Sequence, residues 1–525
     1  MMTDRVEYVS TRGGSEPRFF SRALLSGIAE DGGLFSPDKV PTLSATELSR
    51  LRPLKYWQRA FHILRKFNPD MPDVTLGEMT RDAYGSNFDS LDVAPVVSIG
   101  NRQYMQELWH GPSGAFKDMA LQIMPLMFEE ACAKDNRARE AASLGPLRYF
   151  VIGTTSGDTG AAAIEGYKNK RSLSIAVFYP RGKVSRLQEL MMTTQDGNNV
   201  FVGAMEGDFD AIQRAAKETF ADKEFNDLLL DQYGVVLSSA NSINWGRIVP
   251  QIAYHVSAYV DLLEKGVIEP GDKIDIAVPT GNFGNILSAF YAKQMGVPIN
   301  KLVCASNENN VLTAFLQTGI YDIRERSMKQ TPSPSMDILV SSNVERLLYE
   351  ITRDPVRVYR WMEELKTNKV FKVDEDVLKR LHEDFYAGWV ENDECLQNIK
   401  DLFERKNYLM DTHTSVAHRV AQEYQEQNPS NRPLIISSTA HWAKFPRDIR
   451  KALLGSDANQ IIADASPEET EFSIISQIMK LVPNATVPQS IATLQAKPER
   501  FAGVADAESE WIKRAILSYL QPKAA

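Results

Sequence analysis

Cysteine and histidine are scarce in this sequence, and long apolar runs are absent. The 525 residues include three cysteines and seven histidines. Because the cysteines are far apart and odd in number, we expect neither a disulfide framework nor a metal-ligand cluster. No stretch approaches the roughly 18 apolar residues that suggest a membrane-spanning helix. The N-terminal segment also lacks the apolar core of a signal peptide, so we predict a cytoplasmic protein.

An excess of positive charge is also missing. The net charge is −9 at pH 7, and the sequence pI is about 5.5. This balance argues against nucleic acid or an anionic membrane surface as the main partner. The hydrophobic fraction of 43% and the charged fraction of 24% are ordinary for a globular protein. The length allows two or three domains.

Two stretches of the chain alternate strand, glycine-containing loop, helix and strand. The first is centred on the loop 153–160, which follows the apolar run Y-F-V-I. The second is centred on the loop 281–285, which follows I-D-I-A-V and precedes a second helical pattern. Strand–helix–strand units of this kind predict parallel sheets with right-handed crossovers. Both loops are therefore expected at the carboxyl edge of a sheet, where α/β proteins bind ligands.

One lysine is placed for chemistry. Lys117 follows a Gly-Pro-Ser-Gly turn and begins a helical pattern that is apolar nearly all round. Burial and a helix N-terminus both lower the pKa of an ammonium group, so Lys117 could act as a neutral amine: a nucleophile, a base or a Schiff-base former. The alternative is a lysine whose stem crosses the turn and whose ammonium group is solvated, which is usual for a lysine considered alone.

Both glycine-containing loops suit anionic groups. The loop 281–285 reads G-N-F-G-N, which is neither a dinucleotide fingerprint nor a P-loop, and it predicts a site for a single phosphate. The loop 153–160 carries several hydroxyls and suits a carboxylate or a phosphate. Each loop alone could be an ordinary structural turn. Taken with a reactive lysine, the two loops fit pyridoxal phosphate and an anionic substrate.

Several motifs up to about residue 445 resemble those of one enzyme family. They are H-G-P-S-G-A-F-K-D-M-A-L-Q at 110–122, G-T-T-S-G-D-T-G at 153–160, Y-P-R-G-K-V-S-R-L-Q at 179–188, N-S-I-N-W-G-R at 241–247, P-T-G-N-F-G-N at 279–285 and S-T-A-H at 438–441. The chain resembles the threonine synthase family, which comprises pyridoxal-phosphate enzymes of fold type II. The resemblance implies two parallel-type α/β domains with an N-terminal α+β region and a helical C-terminal extension.

The resemblance also implies roles for particular residues. Lys117 would hold pyridoxal 5'-phosphate as a Schiff base and move protons, and Thr439 would hydrogen-bond the pyridine nitrogen. The cofactor phosphate would be bound by Gly281, Asn282, Phe283, Gly284 and Asn285. Substrate would be bound by Thr155, Ser156, Asp158, Thr159, Lys183, Ser185, Asn241 and Arg247. No metal site is expected, because the histidines are scattered.

The implied reaction converts O-phospho-L-homoserine and water to L-threonine and phosphate by γ-elimination and β-addition. Two alternatives remain: a related lyase or dehydratase acting on a hydroxy- or phospho-amino acid, and a non-catalytic relative that senses ligands. A monomer or homodimer is expected. The predicted division of the chain is an N-terminal region 1–95, a large cofactor domain 96–145 and 236–460, a small α/β domain 146–235 and a C-terminal extension 461–525.

Overall fold

The computed structural model describes residues 5–68, 70–207, 209–455 and 470–521. The beginning of the predicted C-terminal extension, 461–469, lies outside the described residues.

Within the described residues, the strands, numbered in chain order, fall into four sheets. They are β1 Tyr8–Ser10, β2 Phe35–Pro37, β3 Val96–Gly100, β4 Gln103–Glu107, β5 Arg148–Thr154, β6 Leu173–Pro180, β7 Val200–Glu206, β8 Val235–Ser239, β9 Ile274–Pro279, β10 Ile299–Ser306, β11 Ile320–Asp322, β12 Val370–Lys372, β13 Phe385–Trp389, β14 Leu434–Ser438 and β15 Val504–Asp506.

The α-helices are also numbered in chain order. They are α1 Phe20–Ser26, α2 Ala45–Leu51, α3 Tyr56–Phe67, α4 Asp73–Tyr84, α5 Asp118–Leu121, α6 Met124–Ala141, α7 Asp158–Tyr167, α8 Arg186–Thr193, α9 Phe209–Ala221, α10 Lys223–Tyr233, α11 Val249–Glu264, α12 Gly284–Gln294, α13 Val311–Thr318, α14 Val344–Thr352, α15 Pro355–Asn368, α16 Glu375–Asp384, α17 Asn392–Lys406, α18 Thr412–Gln427, α19 Pro446–Leu454, α20 Glu471–Leu481, α21 Gln489–Ala492 and α22 Ser509–Leu520. In the described ranges, no helix is both long and apolar enough to cross a membrane.

The larger sheet has six strands in the order β13-β10-β9-β14-β4-β3. Neighbouring strands in this sheet run parallel, except that β3 pairs with β4 in an antiparallel hairpin. The central strand β9 is buried along its whole length. Among the helices beside the sheet, α11 is buried at 14 of its 16 positions. Most of its own residues are apolar or small, and they occur on every face of the helix. This sheet carries the turn before Lys117 and the loop 281–285.

The second sheet has five strands in the order β15-β7-β6-β5-β8, and all of its pairs are parallel. Strand β5 is buried from its second residue to its last, which agrees with the apolar run in its sequence. Helix α7 follows β5 and returns the chain to β6. This unit carries the predicted loop 153–160. Two parallel α/β sheets with an N-terminal α+β region confirm the predicted fold class, whereas the division of the chain into domains stays a prediction.

The C-terminal extension is more than a set of helices. Helix α20 packs on α19 beside the larger sheet, whereas β15 adds a parallel edge strand to β7 of the second sheet. Helix α22 then covers the second sheet, with Ile512 and Ile516 fully buried. A three-residue strand has no readable periodicity, so the sequence did not predict β15.

The predicted helix that starts at Lys117 is wrong in one respect. The helix α5 is only four residues long, and a second helix, α6, starts at Met124. The break precedes Pro125, which is well placed in the first turn of a new helix because proline has no N–H to donate. Helix α11 begins in the same way, since it follows the 3-10 turn Trp245–Arg247 and has Pro250 in its first turn.

Candidate active site

A cavity opens where strands of both sheets end. In the larger sheet, the chain that leaves the carboxyl ends of β4, β9 and β14 supplies Lys117, residues 279–285 and Thr439. In the second sheet, the last residue of β5 and the loop after it supply lining residues between 154 and 159, and the chain after β8 supplies Asn241. The predicted position of both loops at a carboxyl sheet edge is therefore observed, and the loops face one cavity.

Lys117 lies inside this cavity. Its side chain is 10% exposed, and its Nζ lies 3.9 Å from Oδ2 of Asp158. Burial lowers the pKa of Lys117 to about 8; Asp158 acts against the shift, and Lys444 and Arg247 add to it. Because α5 is a single turn, its dipole is a small contribution beside desolvation. The alternative of a solvated lysine is excluded by this burial.

Asp158 is the carboxylate that faces Lys117, and other residues hold it in place. Its Oδ1 lies 2.6 Å from Nζ of Lys444 and accepts a hydrogen bond from Gln188 at 2.9 Å. Its Oδ2 accepts a hydrogen bond from Ser335 at 3.2 Å. Burial opposes ionisation of Asp158, but Lys444 and Lys117 more than offset burial and hold its pKa well below the usual range. Asp158 is therefore an anion in a largely cationic pocket.

The loop 281–285 leads into the N-terminus of α12. Phe283 adopts a left-handed conformation with φ of 64°, which turns the chain into the helix. Carbonyl oxygens on the far side of the loop accept hydrogen bonds from Ser341 (2.7 Å, to Gly281) and Asn343 (3.1 Å, to Asn282). The loop is thus fixed by neighbours while the helix N-terminus faces the cavity, which is an arrangement suited to phosphate.

Two buried donors of the lining residues have no hydrogen-bond partner in the described part of the chain. They are Nε of Arg247 and Nδ2 of Asn285. Arg247 donates through Nη1 to the carbonyl of Ala240 at 2.7 Å, and burial lowers its pKa to about 10. Asn285 accepts a hydrogen bond from Nε2 of His255 at 3.0 Å, which fixes its amide. Unpartnered buried donors are costly, so these two suit a ligand that brings acceptors.

Thr439 and His413 line another part of the cavity. The backbone of Thr439 is fixed on both sides: its N–H donates to Thr414 at 3.3 Å, and its carbonyl accepts from Phe116 at 2.8 Å. The ring of His413 lies between Asp411, 2.7 Å from Nδ1, and the N–H of Ser335, which donates to Nε2 at 3.1 Å. These contacts join the loop 331–337 to the cavity wall.

Most of the residues that the sequence predicts for the site come together in this cavity. The predicted residues that line it are Lys117, Thr155, Ser156, Asp158, Thr159, Asn241, Arg247, Gly281, Asn282, Phe283, Gly284, Asn285 and Thr439. Lys183 and Ser185 do not line it: Lys183 is exposed, and Ser185 caps α8 and donates to the carbonyl of Lys444 at 3.2 Å. Substrate contact by these two residues stays a prediction, and it would require their loop to move towards the cavity.

The residues of the site that were not identified from the sequence include Lys444, His413 and Ser335. The sequence did contain a sign that Lys444 is buried. It lies between apolar neighbours, three positions after His441, in H-W-A-K-F. His413 follows Asp411 at the start of α18, which reads as an ordinary helix cap. Ser335 lies in a proline-rich loop, and only the tertiary structure brings that loop to Asp158.

Comparison with known proteins identifies relatives of this chain. Residues 7–84 match the family described as threonine synthase N terminus, and residues 414–516 match threonine synthase, C-terminal. The chain is 36% identical to threonine synthase of Saccharomyces cerevisiae over 504 residues, which cover 91% of this chain and 96% of the yeast protein. It is 42% identical to threonine synthase-like 1 of Homo sapiens over 452 residues, which cover 84% of this chain.

The chain spans about 59% of the length of the threonine synthase-like 1 proteins that it matches. Among solved structures, it is similar to a threonine synthase from Brucella melitensis described as PLP bound, with a TM-score of 0.83 and 34% identity. That match covers 98% of this chain and 100% of the Brucella chain. The extent and identity of these matches mean that the chain belongs to the threonine synthase family.

Proposed function

We propose that this protein binds pyridoxal 5'-phosphate and converts O-phospho-L-homoserine and water to L-threonine and inorganic phosphate. The observation that carries the proposal is the buried amine of Lys117, which shares one cavity with the loops 154–159 and 281–285. The loop 281–285 suits the phosphate of the cofactor, and the loop 154–159 suits an anionic group of the substrate. The family relationship supports the same reaction, because the yeast and Brucella relatives bear the name threonine synthase.

The residues of the cavity fit pyridoxal phosphate. The amine of Lys117, whose pKa is lowered to about 8, is available for a covalent bond to an aldehyde. The N-terminus of α12 offers N–H groups to a phosphate, and the side-chain amide of Asn285 has a buried N–H without a partner in the described residues. The hydroxyl of Thr439, across the cavity, is a neutral partner for a ring nitrogen. When bound, the cofactor supplies an electron sink beside the amino-bearing carbon of the substrate.

The chain's own groups then move protons and hold charge. Lys117 would remove the proton from Cα of the substrate and return protons at later positions, which requires a base whose pKa is close to the working pH. Arg247 has a buried Nε–H that is free to donate to the carboxylate or the phosphate of the substrate. The hydroxyls of Ser156 and Thr159 are partly exposed to the cavity and can donate to the same anions.

Burial of the reacting groups would exclude water until it is needed. Lys117 and Asp158 are almost completely buried, as is Thr439. A dry site strengthens hydrogen bonds to charged groups and protects reactive species from side reactions. Addition of water at Cβ, which precedes return of the proton to Cα, would require controlled entry of one water molecule. We propose a cytoplasmic monomer or homodimer with no metal requirement.

The test is to incubate the purified protein with O-phospho-L-homoserine and to measure L-threonine and phosphate in the same sample. The proposal predicts equal amounts of both products and a yellow protein that loses its colour on treatment with hydroxylamine. Phosphate without threonine would indicate a lyase or dehydratase. A colourless protein that binds amino acids without turnover would indicate a ligand-sensing relative.

A further inference from the structure

Two buried lysines share one buried carboxylate in this cavity. Lys444 is fully buried, and its Nζ lies 2.6 Å from Oδ1 of Asp158. The same Nζ donates to the carbonyl of Ser113 at 2.8 Å, in the turn that precedes Lys117. Lys117 approaches the other oxygen of Asp158 only to 3.9 Å, which is beyond hydrogen-bond distance. The close pairing therefore belongs to Lys444 and not to Lys117.

We propose that Lys444 is a positioning residue that engages Asp158 and so leaves the nitrogen of Lys117 free to lose its proton. The inference rests on the proposed function, in which Lys117 carries protons. Without Lys444, the nearest cation to Asp158 would be Lys117, and a buried carboxylate attracts an ammonium group strongly. Lys117 would then be held as an ammonium ion and drawn away from the cofactor aldehyde.

The other contacts of Asp158 agree with this role. Gln188 and Ser335 donate to its two oxygens at 2.9 and 3.2 Å. Asp158 also lies in the first turn of α7, where a helix stabilises a negative charge. The carboxylate is thus held from several directions and is not free to rotate towards Lys117. Lys444 itself is fixed through Ser113.

The remaining charged groups around Lys117 and Asp158 do not replace Lys444. Arg247 lowers the pKa of Lys117, but it donates to the carbonyl of Ala240 and not to Asp158. Asp118 directs its carboxylate away, to the N–H and hydroxyl of Ser113 at 2.8 and 2.9 Å, and burial raises its pKa to about 7. Two further groups are committed elsewhere: His413 to Asp411 at 2.7 Å, and Glu165 to Lys168 at 2.8 Å.

The test is a pH titration of the visible absorbance of the protein with bound cofactor, which reports protonation at the Lys117 nitrogen. Lys444→Met removes the cation that engages Asp158, so the midpoint should rise by about one pH unit. Asp158→Asn removes the carboxylate and leaves the cations, so the midpoint should fall. The variant that carries both Lys444→Met and Asp158→Asn should have a midpoint closer to that of wild type. It lacks both the cation and the carboxylate, whose separate losses shift the midpoint in opposite directions. Lys444→Arg keeps the charge and should stay close to wild type.

A control breaks another lysine–aspartate pair, in which the aspartate is buried and the lysine is partly exposed. Lys293 lies 2.7 Å from Asp384 near the C-terminal end of α12, about 14 Å along the helix from the loop 281–285. Lys293→Met should leave the midpoint unchanged. If the role of Lys444 were only structural, the midpoints of Lys444→Met and Asp158→Asn would shift in the same direction or would not shift. Either result would overturn the inference.

The inference stays testable if Lys444→Met does not fold. Asp158→Asn must then lower the midpoint and Lys444→Arg must preserve it, and failure of either overturns the role of Lys444. A wild-type protein without visible cofactor absorbance would instead contradict the proposed function, and the inference with it. A titrating wild-type protein whose variants do not shift contradicts only the inference.

Discussion

At the scale of single residues, surroundings decide what a lysine does in this protein. Lys117 lines the cavity, Lys444 contacts the lining residue Asp158 from behind it, and both lysines are largely buried. Lys444 forms an ion pair with the carboxylate of Asp158 at 2.6 Å. Lys117 has no such close partner among the described residues, so desolvation prevails and its pKa falls to about 8. The side chains are chemically identical, and their roles differ by position alone.

Replacement of Lys117 by alanine should abolish both the visible absorbance of the bound cofactor and threonine formation. The expected loss in kcat is about a thousandfold or more, because the variant lacks both the covalent attachment and the proton carrier. Absorbance spectra and a threonine assay measure the two effects. The control is Lys134→Ala, since Lys134 is half exposed and pairs with Asp70 outside the cavity. A Lys117→Ala protein with full activity would contradict the assignment of Lys117.

His110 should make the stability of the protein depend on pH. Burial lowers the pKa of His110, but hydrogen bonds to Asp89 and Glu107 more than offset burial and raise the pKa to about 9. The folded state therefore keeps this proton at pH values where the unfolded chain has lost it. The stabilisation is complete below about pH 6.5 and is lost as the pH rises through about 9.

The measurement compares wild type with His110→Asn by urea unfolding at several pH values. The difference in free energy of unfolding should shrink by about 1–3 kcal/mol between pH 6 and pH 9.5. A difference that stays constant over this range would contradict the proposed protonation of His110.

At the scale of elements, the loop before α12 and the proline-rich loop 331–337 depend on each other. A Cβ added at Gly281 would lie 2.9 Å from the carbonyl oxygen of Ser335 and 3.2 Å from Cα of Met336. Both neighbours are backbone atoms, which cannot give way as a flexible side chain can. Ser335 also reaches Asp158 and His413. The absence of a side chain at position 281 therefore keeps the loop 281–285 in contact with the loop 331–337.

Gly281→Ala should weaken binding of pyridoxal phosphate by about tenfold or more, which corresponds to a steric cost of about 1–3 kcal/mol. The affinity is measured by absorbance titration of protein from which the cofactor has been removed. Gly145→Ala is the matched control, because a Cβ at Gly145 meets nothing within 4 Å. Equal affinities for the two variants would show that this contact does not matter for the cofactor.

The elements that the sequence predicted best are those with a strong local pattern. The interpretation of β5, β9 and the helices after them was confirmed, because buried parallel strands are apolar runs that end at glycine-containing loops. The predicted helix beginning at Lys117 was wrong in length, since Pro125 starts a new helix there. The edge strand β15 was not predicted, because three residues carry too little pattern and their order comes from pairing with β7.

At the scale of the whole molecule, the C-terminal extension packs on helix α19 and on the second sheet. Helix α20 packs on α19, and Arg447 pairs with Glu471 at 2.7 Å. Further along, Glu499 pairs with Arg186 of α8, and β15 and α22 complete the second sheet. The aromatic ring of Trp511 lies on Gly203, where a Cβ would collide with it. The extension is thus part of the core of the second sheet.

Ile512→Ala should lower the free energy of unfolding by about 2–5 kcal/mol, because Ile512 is fully buried against the second sheet. Denaturant unfolding followed by circular dichroism measures the change. Leu481→Ala is the matched control from the same extension, since Leu481 is 47% exposed and should change stability far less. Equal effects of the two substitutions would mean that α22 is not part of the cooperative core.

The sequence by itself determined the local parts of this protein. Apolar runs specified the central strands, and glycine-rich turns placed Lys117 and the loop 281–285 at the carboxyl edges of strands. The number of residues between these motifs, however, does not show how far apart they lie in the folded protein. Only the tertiary structure brought Lys444, Ser335 and His413 to Asp158, and left Lys183 outside the cavity. The reason is physical: strand and turn formation depend on neighbours in sequence, whereas burial, ion pairing and the resulting shifts in pKa depend on groups that are close only after the chain has folded.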